Sequence, residues 1–249
     1  MKTAHRQCIF CLNQANTKKH VWPKWVLAVV DQDRPLRFEL GSDPEFLFSG
    51  EFKIGCVCGD CNNGWMSRLE VEVKPCLEPM LHGSITPLTR SVQEKLSLWA
   101  VKIAMVIEAA RPKSVSSRFY SDEDSHALRE HRIIPDMTRV EVGCFADSSL
   151  HVSAGDFTLA DGPNNGGRGH VTTIVAGHLI LQVSTLKPAP ACYGRNASVA
   201  VAIGNLDAHL IDLWPHSKAR IWPPPLPFTM GNGPSSVGGL SARYYAQLW

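Results

Sequence analysis

Two C-x-x-C pairs near the N-terminus constrain this chain more than any other feature of its sequence. Cys8 and Cys11 form the first pair, and Cys58 and Cys61 form the second. Each C-x-x-C turn brings two thiolates close enough to share one ion, and two such turns complete the four-sulfur shell of a structural zinc site. A site of this kind ties two distant segments together, so the free energy of metal binding contributes directly to folding.

Other uses of these cysteines are less well supported by the sequence. No secretory signal peptide precedes Cys8, so a disulfide framework is not expected. A redox site needs one C-x-x-C after a strand of a thioredoxin-like unit, not two separated pairs. The third ligand is either Cys56 or Cys58, and the two-residue spacing to Cys61 favours Cys58. We therefore expect Zn²⁺ to be bound by Cys8, Cys11, Cys58 and Cys61.

Two further motifs accompany the cysteine pairs. The first is His20-Val-Trp-Pro23. The second begins at the last cysteine and reads Cys61-Asn62-Asn63-Gly64-Trp65. Together with the cysteines, they resemble the bacterial HNH-type proteins among the ββα-metal (His-Me finger) nucleases, which read H-x-x-P-x-W and C-x-x-C-N-x-G-W. The resemblance covers residues 5 to about 75. It implies a zinc-stapled ββα-metal finger at the N-terminus.

The resemblance also implies roles for individual residues. In this family the strand histidine takes a proton from water, and a His or Asn at the start of the helix helps to hold a catalytic divalent metal. Carried over to this chain, His20 is the general base and Asn62 is a ligand of Mg²⁺ or Mn²⁺. These residue types suit phosphodiester hydrolysis, because histidine exchanges a proton near neutral pH and a cation neutralises the charge that grows on the phosphate.

One position departs from the family pattern. The acidic metal ligand expected just before His20 is replaced by Lys19, which repels a cation. Either another carboxylate completes the catalytic metal site, or the site no longer holds a catalytic metal. The candidate carboxylates are Asp60 and Glu70, followed by Glu51. Glu70 follows Asn62 by a little over two helical turns, so the two residues share one helix face. Each of these residues has a structural alternative. Glu70 would be an ordinary surface or ion-paired carboxylate, Asn62 would cap the helix, and His20 would be a structural histidine beside the zinc site.

Four basic residues near these motifs are the candidate contacts to nucleic-acid phosphates, namely Lys18, Lys19, Lys24 and Arg68. The formal net charge of the 249-residue chain is only +2, so the chain lacks the strongly basic balance of a general nucleic-acid binder. Any electrostatic attraction for nucleic acid must therefore be local. A solvated surface position is the ordinary alternative for Arg68.

Composition places the chain among ordinary soluble globular proteins, with 44% hydrophobic and 19% charged residues. A chain of this length can bury a full core and form one or two domains. No apolar run reaches the length of a membrane span and no targeting signal opens the sequence. We therefore expect a cytoplasmic protein without a membrane partner.

Hydrophobic periodicity predicts an α+β fold. The helix after the second cysteine pair should cover residues 62–73 and end at Pro75, and further helices should cover 91–110 and 121–132. We expect two domains. They are an HNH-like zinc and ββα-metal module at 1–90 and an α+β domain of unknown specificity at 91–249.

The chain from residue 138 onward is rich in β-forming runs, which predict a small antiparallel sheet. The runs are 138–145, 150–153, 171–176, 178–184 and 198–206, with a tight turn at 176–178. A Pro-rich strap at 222–227 and a terminal helix at 240–249 are expected to follow. The aromatic residues of this terminal segment are Tyr244, Tyr245 and Trp249. If they do not pack against the rest of the chain, their exposure favours a homodimer contact.

The sequence predicts a metal-dependent HNH-type endonuclease that hydrolyses phosphodiester bonds in nucleic acid, with DNA favoured over RNA. The alternative is a catalytically degenerate protein that keeps the zinc-stapled fold and binds nucleic acid or acts as a scaffold. The motif residues His20 and Asn62 favour the nuclease, whereas Lys19 in the acidic position favours the alternative.

Overall fold

The computed structural model describes residues 6–30, 36–40, 46–48, 53–110, 118–161, 164–189, 208–216 and 218–229. In these ranges the helices are α1 (Lys24–Val29), α2 (Gly59–Cys61), α3 (Ser67–Leu81), α4 (Arg90–Glu108) and α5 (Asp122–His131), with a π-helical turn at Asn62–Met66. The strands are β1 (Thr17–His20), β2 (Leu36–Leu40), β3 (Phe46–Phe48), β4 (Lys53–Val57), β5 (Thr86–Leu88), β6 (Thr138–Asp161), β7 (Asn164–Pro188), β8 (Leu210–Trp214) and β9 (Arg220–Trp222). Helices and sheets together confirm the predicted α+β class.

The N-terminal region is built on an antiparallel strand pair followed by a helix. β1 pairs with β4, so that Thr17 lies opposite Val57 and His20 lies opposite Lys53. β4 leads directly into Cys58, the N-cap residue of α2. The second C-x-x-C pair therefore lies at the point where the strand ends and the helix begins.

The helix after the second cysteine pair continues further than the sequence predicts. α3 runs to Leu81 with Pro75 and Pro79 inside it, so the prediction that Pro75 ends the helix is wrong. A proline inside a helix costs about 3 kcal/mol through its missing N–H and its ring clash. Burial at helical spacing continues beyond the first proline and offsets this cost; the buried residues are Leu69, Val73, Leu77, Met80 and Leu81.

Two helices form where local signals predict them. Thr89 caps α4 by accepting a hydrogen bond from the Val92 N–H, and every residue from 96 to 108 is buried. α5 begins with a capping box, in which the side chains of Ser121 and Asp124 each accept a hydrogen bond from the other residue's backbone N–H. Both helices match the predicted ranges closely.

The main sheet has five strands and is dominated by one long hairpin. β6 and β7 pair antiparallel along nearly their whole length, and β8 pairs antiparallel with β6. The antiparallel pairing predicted for this region is therefore confirmed. β2 also pairs with β6, in parallel, and β3 lies beyond β2. The sequence does not reveal this partnership, because β2 comes from the N-terminal region and lies far from β6 along the chain.

The predicted turn at 176–178 is wrong, because β7 continues through these residues. Gly177 has φ +57° and lies opposite Ser149, next to a shift in the register of the β6–β7 ladder. A Cβ at Gly177 would overlap the carbonyl oxygen of Leu81 at the end of α3. Glycine is required here because β7 has a left-handed backbone at this position and lies close to the end of α3. The chain does not reverse its direction at this glycine.

Gly177→Ala is expected to lower the free energy of unfolding by about 2 kcal/mol or more, because the added methyl group meets a backbone carbonyl in a left-handed conformation. Gly55→Ala is the matched control, since a Cβ at that position has no neighbour within 4 Å. Urea unfolding of the two variants measures the difference. Equal stability of the two variants would contradict the close approach of β7 to the end of α3.

One hydrophobic core contains residues from both halves of the chain, including Val57, Trp99, Val142 and Trp222. Trp222 lies opposite Thr86 in the β5–β9 pair, and its indole N–H donates to the carbonyl of Gly143 at 3.0 Å. The expected Pro-rich strap therefore begins at a buried anchor. The division of the chain into domains near residue 90 stays a prediction.

Some predicted elements lie outside the described residues. They are the strand at 198–206 and the terminal segment 240–249, on which the expected homodimer contact depends. Within the described part of the chain, no helix combines the length and the apolar character that crossing a membrane requires.

Candidate metal centre

The four predicted zinc ligands come together in space. The sulfur atoms of Cys8, Cys11, Cys58 and Cys61 all lie within 4.8 Å of one another, and the Cys11 and Cys58 sulfurs are 3.4 Å apart. A tetrahedral Zn²⁺ ion with bonds of about 2.3 Å separates its sulfur ligands by about 3.8 Å. The thiols are free and too far apart for disulfide bonds. The cluster can therefore hold one metal ion such as zinc.

Backbone hydrogen bonds fix the first cysteine turn against the second. The N–H of Ile9 donates to the Cys56 carbonyl at 3.0 Å, which joins the first turn to β4. Within the first turn, the Cys8 N–H donates to the Asn13 carbonyl at 2.7 Å. Across the cluster, the Gly59 N–H donates to the side-chain oxygen of Asn16 at 2.9 Å. The two turns are therefore held together by the chain as well as by any ion that they bind.

The second turn also orients its own sulfur. The Cys61 backbone N–H donates to the Cys58 sulfur at 3.4 Å, as the N–H at the start of a helix does to a capping acceptor. This hydrogen bond fixes the position of the Cys58 sulfur at the start of the helix. The choice between Cys56 and Cys58 is resolved in favour of Cys58, because Cys56 does not belong to the cluster. Burial instead raises the pKa of Cys56 to about 12, so it stays a protonated core residue.

The clustered thiols influence one another's ionisation. Hydrogen bonding to Cys61 lowers the pKa of Cys8, and the same contact raises the pKa of Cys61. Desolvation by burial raises the pKa of Cys11. Without a bound ion, the Cys8 thiolate is thus stabilised by the neighbouring thiols of Cys11 and Cys61, which stay protonated. A bound divalent cation supplies the positive charge that allows all four sulfurs to be thiolates.

The segment that carries the first cysteine turn makes an aromatic contact and an arginine hydrogen bond to other elements. Phe10, inside the first C-x-x-C turn, is buried and packs edge-to-face on Trp65, with ring centroids 4.9 Å apart. Arg6 donates through its guanidinium to the carbonyl of Ala109 at the end of α4. The cysteine cluster therefore lies close to the end of α4, and Cys8, Cys58 and Cys61 belong to the hydrophobic core.

The two motif residues with predicted catalytic roles lie on the strand pair and on the helix start. His20 is the last residue of β1 and is half-buried. Asn62 follows the last cysteine and opens the π-helical turn, in which Gly64 departs from helical geometry with ψ −108°. π-Helical turns inside α-helices occur frequently at functional sites, because they displace the local backbone. Within the described part of the chain, His20 does not belong to a cluster of metal-ligating side chains.

Glu70, the predicted acidic ligand, lies in an ion pair. Its Oε1 accepts a hydrogen bond from Lys102 Nζ at 3.0 Å, and the Lys102 side chain is fully buried while that of Glu70 is 14% exposed. The Lys102 ammonium also lies 5.5 Å from the ring centroid of Trp99. The carboxylate is thus the counter-ion of a buried lysine on α4, which competes with its use as a metal ligand.

Glu70→Ala is expected to lower the free energy of unfolding by about 3 kcal/mol, because it removes the carboxylate that lies 3.0 Å from the fully buried Lys102 ammonium. The double variant Glu70→Leu, Lys102→Met removes both charges and is expected to recover most of that loss. Urea unfolding of the single and double variants measures the coupling. A single variant as stable as the unmodified protein would mean that the ion pair contributes nothing to the fold.

The predicted phosphate contacts are spread over the N-terminal region. Lys18 on β1, Lys24 at the start of α1 and Arg68 on α3 are exposed, and the side chain of Lys19 lies outside the described atoms. Asp60, the other candidate acid, is exposed in the first turn of α2. Lys18, Lys24 and Arg68 are accessible to a polyanion. Asp60 is accessible to a cation, whereas Glu70 is held by Lys102.

The burial of Lys102 is not among the predictions made from the sequence. The one signal in the sequence is its position within an otherwise apolar run, Ala100-Val101-Lys102-Ile103-Ala104. A lysine in such a run needs an anionic partner, but the sequence does not reveal that the partner lies on α3.

Comparisons of this chain with protein-family models, with curated proteins and with solved structures find no match.

Proposed function

We propose that this protein is an HNH-type endonuclease that hydrolyses phosphodiester bonds in nucleic acid, DNA rather than RNA. The observation that carries the proposal is the order of elements around the four cysteines. A strand that ends in His20 pairs antiparallel with a strand that leads into the second cysteine turn, and a helix with Asn62 in its first turns follows. This strand–strand–helix order is the arrangement expected of a ββα-metal finger.

Zinc is the metal that best suits the cysteine cluster, because thiolate ligands select it and four of them close its coordination shell. A closed shell leaves no position for water or substrate, so this ion has a structural role. It joins the loop before β1 to the start of the helix and so positions the strand and helix that carry the motif residues.

Proton transfer by His20 is the step that this chain's own residues supply. The imidazole takes a proton from a water molecule as that water attacks the phosphorus atom, and the P–O bond to the leaving ester oxygen breaks. The leaving oxygen takes a proton from solvent and departs as a hydroxyl group. A Mg²⁺ or Mn²⁺ ion would be held by Asn62 and by a carboxylate, Asp60 or Glu70, and would neutralise charge on the phosphate. Asp60 is accessible for this purpose, while Glu70 would first have to leave Lys102. Mg²⁺ also binds well through substrate phosphates and water, so few protein ligands are needed.

The proposal is tested by incubating the purified protein with supercoiled plasmid, single-stranded DNA and RNA, each with Mg²⁺, Mn²⁺ or EDTA. Metal-dependent cleavage of plasmid is the expected result. Cleavage that persists in EDTA would contradict a divalent-metal mechanism. An absence of cleavage in every lane, from a folded protein that still contains zinc, would contradict nuclease activity.

A second candidate is a zinc-stapled protein that binds nucleic acid or acts as a scaffold without cleaving it. Two observations favour it. Lys19 stands in the acidic position, and among the described residues the four cysteines are the one set of three or more His, Cys, Asp or Glu side chains placed to share an ion. Titration of the zinc-loaded protein with Mn²⁺ distinguishes the candidates, since the nuclease requires a second, weaker divalent site.

A further inference from the structure

A cavity lies beside the metal centre, between the N-terminal half of α3, the middle of α4 and the end of α5. Its volume is about 120 Å³. Its apolar wall consists of Trp65, Leu69, Leu98 and Leu128. Trp65 belongs to the π-helical turn after the last cysteine, so the cavity is continuous with the packing around the cluster.

The polar side of the cavity is rich in arginine. Arg68 comes from α3, while Arg129 and Arg132 come from the end of α5, together with Glu130. Arg132 is held by Glu72 through two hydrogen bonds of 2.7 and 2.9 Å, and Arg129 contacts Glu130 at 2.7 Å.

Arg68 differs from the other two arginines. It is exposed, and no described residue forms an ion pair with it. Lys95 and Glu94 also act on the Glu72–Arg132 pair, so four positive groups face three carboxylates and leave one positive charge in excess at the cavity. Arg68 is the exposed member of this group without an ion pair among the described residues. Arginine in this setting is the side chain best suited to bind phosphate oxygens, because its planar guanidinium donates two parallel hydrogen bonds.

The size of the cavity limits the ligand. A cavity of about 150 Å³ accepts a molecule as large as benzene, and sites for drug-sized ligands occupy at least about 300 Å³. A volume of about 120 Å³ is therefore sufficient for one phosphate group and too small for a complete nucleotide.

We infer that this cavity is a phosphate-binding subsite in which Arg68, assisted by Arg129, binds one phosphate group while Arg132 stays paired with Glu72. The inference rests on the proposed function for the source of that phosphate, which is the backbone of a bound nucleic acid. Arg132 then has a positioning role, because its pair with Glu72 joins the end of α5 to α3 and so sets the width of the cavity.

The test uses a fluorescent single-stranded oligonucleotide and, separately, inorganic phosphate. Binding of both probes to the full-length protein is compared with binding to Arg68→Gln and to Arg68→Gln, Arg129→Gln. Arg220→Gln and Arg90→Gln are matched controls, since both arginines are exposed and lie in other elements. Thermal melting shows that each variant is folded.

We expect the double variant to bind the oligonucleotide about tenfold or more weakly, because hydrogen bonds to a charged group are lost. The slope of log affinity against log salt concentration should fall by about 0.7, the value for one single-strand phosphate contact. Both control variants should retain the affinity and the slope of the unmodified protein.

The remaining outcomes separate this inference from the proposed function. Binding of inorganic phosphate that is lost in the double variant, without oligonucleotide binding by any form of the protein, would support the subsite and contradict nucleic acid as its source. Unchanged affinity and unchanged salt slope in the double variant would overturn the subsite, even if the unmodified protein cleaves DNA. Binding of neither probe by the unmodified protein would also overturn it.

Discussion

Replacing Cys61 with serine is expected to abolish tight metal binding and to unfold the N-terminal region. Cys61 supplies one of four sulfurs within 4.8 Å of one another, and it belongs to the same buried core as Trp99 of α4. Structural zinc sites contribute about 10 kcal/mol or more of binding free energy to the folded state of small domains. We therefore expect the free energy of unfolding to fall by more than about 3 kcal/mol, measured by urea unfolding with the zinc content determined in parallel.

Cys76→Ser is the matched control for this variant. Cys76 is half-buried on α3 and donates its thiol to the Val73 carbonyl at 3.0 Å, a contact that a serine hydroxyl can replace. It lies outside the sulfur cluster, so the zinc content should be unchanged. If Cys61→Ser is as stable as Cys76→Ser and retains its metal, the cluster is not a structural metal site.

Replacing His20 with alanine is expected to have the largest effect on activity. Loss of a general base lowers rates by about 10²- to 10⁴-fold. His20 ends a short strand outside the cysteine cluster, so zinc content and melting temperature should change little. Initial rates of plasmid cleavage at saturating Mg²⁺ or Mn²⁺ measure the effect.

His82→Ala is the control for His20→Ala, because His82 is exposed at the end of α3 and belongs to neither motif. It should cleave at the rate of the unmodified protein. Full activity in His20→Ala would remove this residue from the mechanism and would leave the strand–strand–helix order without the catalytic role that the proposal gives it.

The parts of the fold that the sequence predicts well are those set by local signals. The C-x-x-C spacing places two sulfurs on one turn regardless of the rest of the chain. The hydroxyl caps at Thr89 and Ser121 fix where α4 and α5 begin. The apolar spacing within α4 predicts burial over most of its length, and residues 96–108 are all buried.

The parts that escape prediction depend on contacts between distant segments. Pro75 would end an isolated helix. In the folded chain α3 continues past Pro75 to Leu81, because residues such as Leu77 and Met80 are buried there. Gly177 reads as a turn, but its left-handed backbone serves the close approach of β7 to Leu81.

The candidate site also combines features set by local sequence with features set by contacts between distant segments. The four cysteines are predictable from their spacing, whereas the environment of Glu70 is not. The sequence places Glu70 on the same helix face as Asn62, and only the packing of α3 on α4 brings it to Lys102. The cavity beside Arg68 likewise depends on where the end of α5 packs, which no local pattern determines.

We infer that one zinc ion joins the two cysteine turns, and the metal content of the purified protein tests this inference. We predict one zinc ion per chain by elemental analysis and native mass spectrometry, and none in Cys61→Ser. A folded protein that contains no metal after incubation with zinc, and whose cluster thiols all react with a thiol reagent, would show that the cluster is not a zinc site.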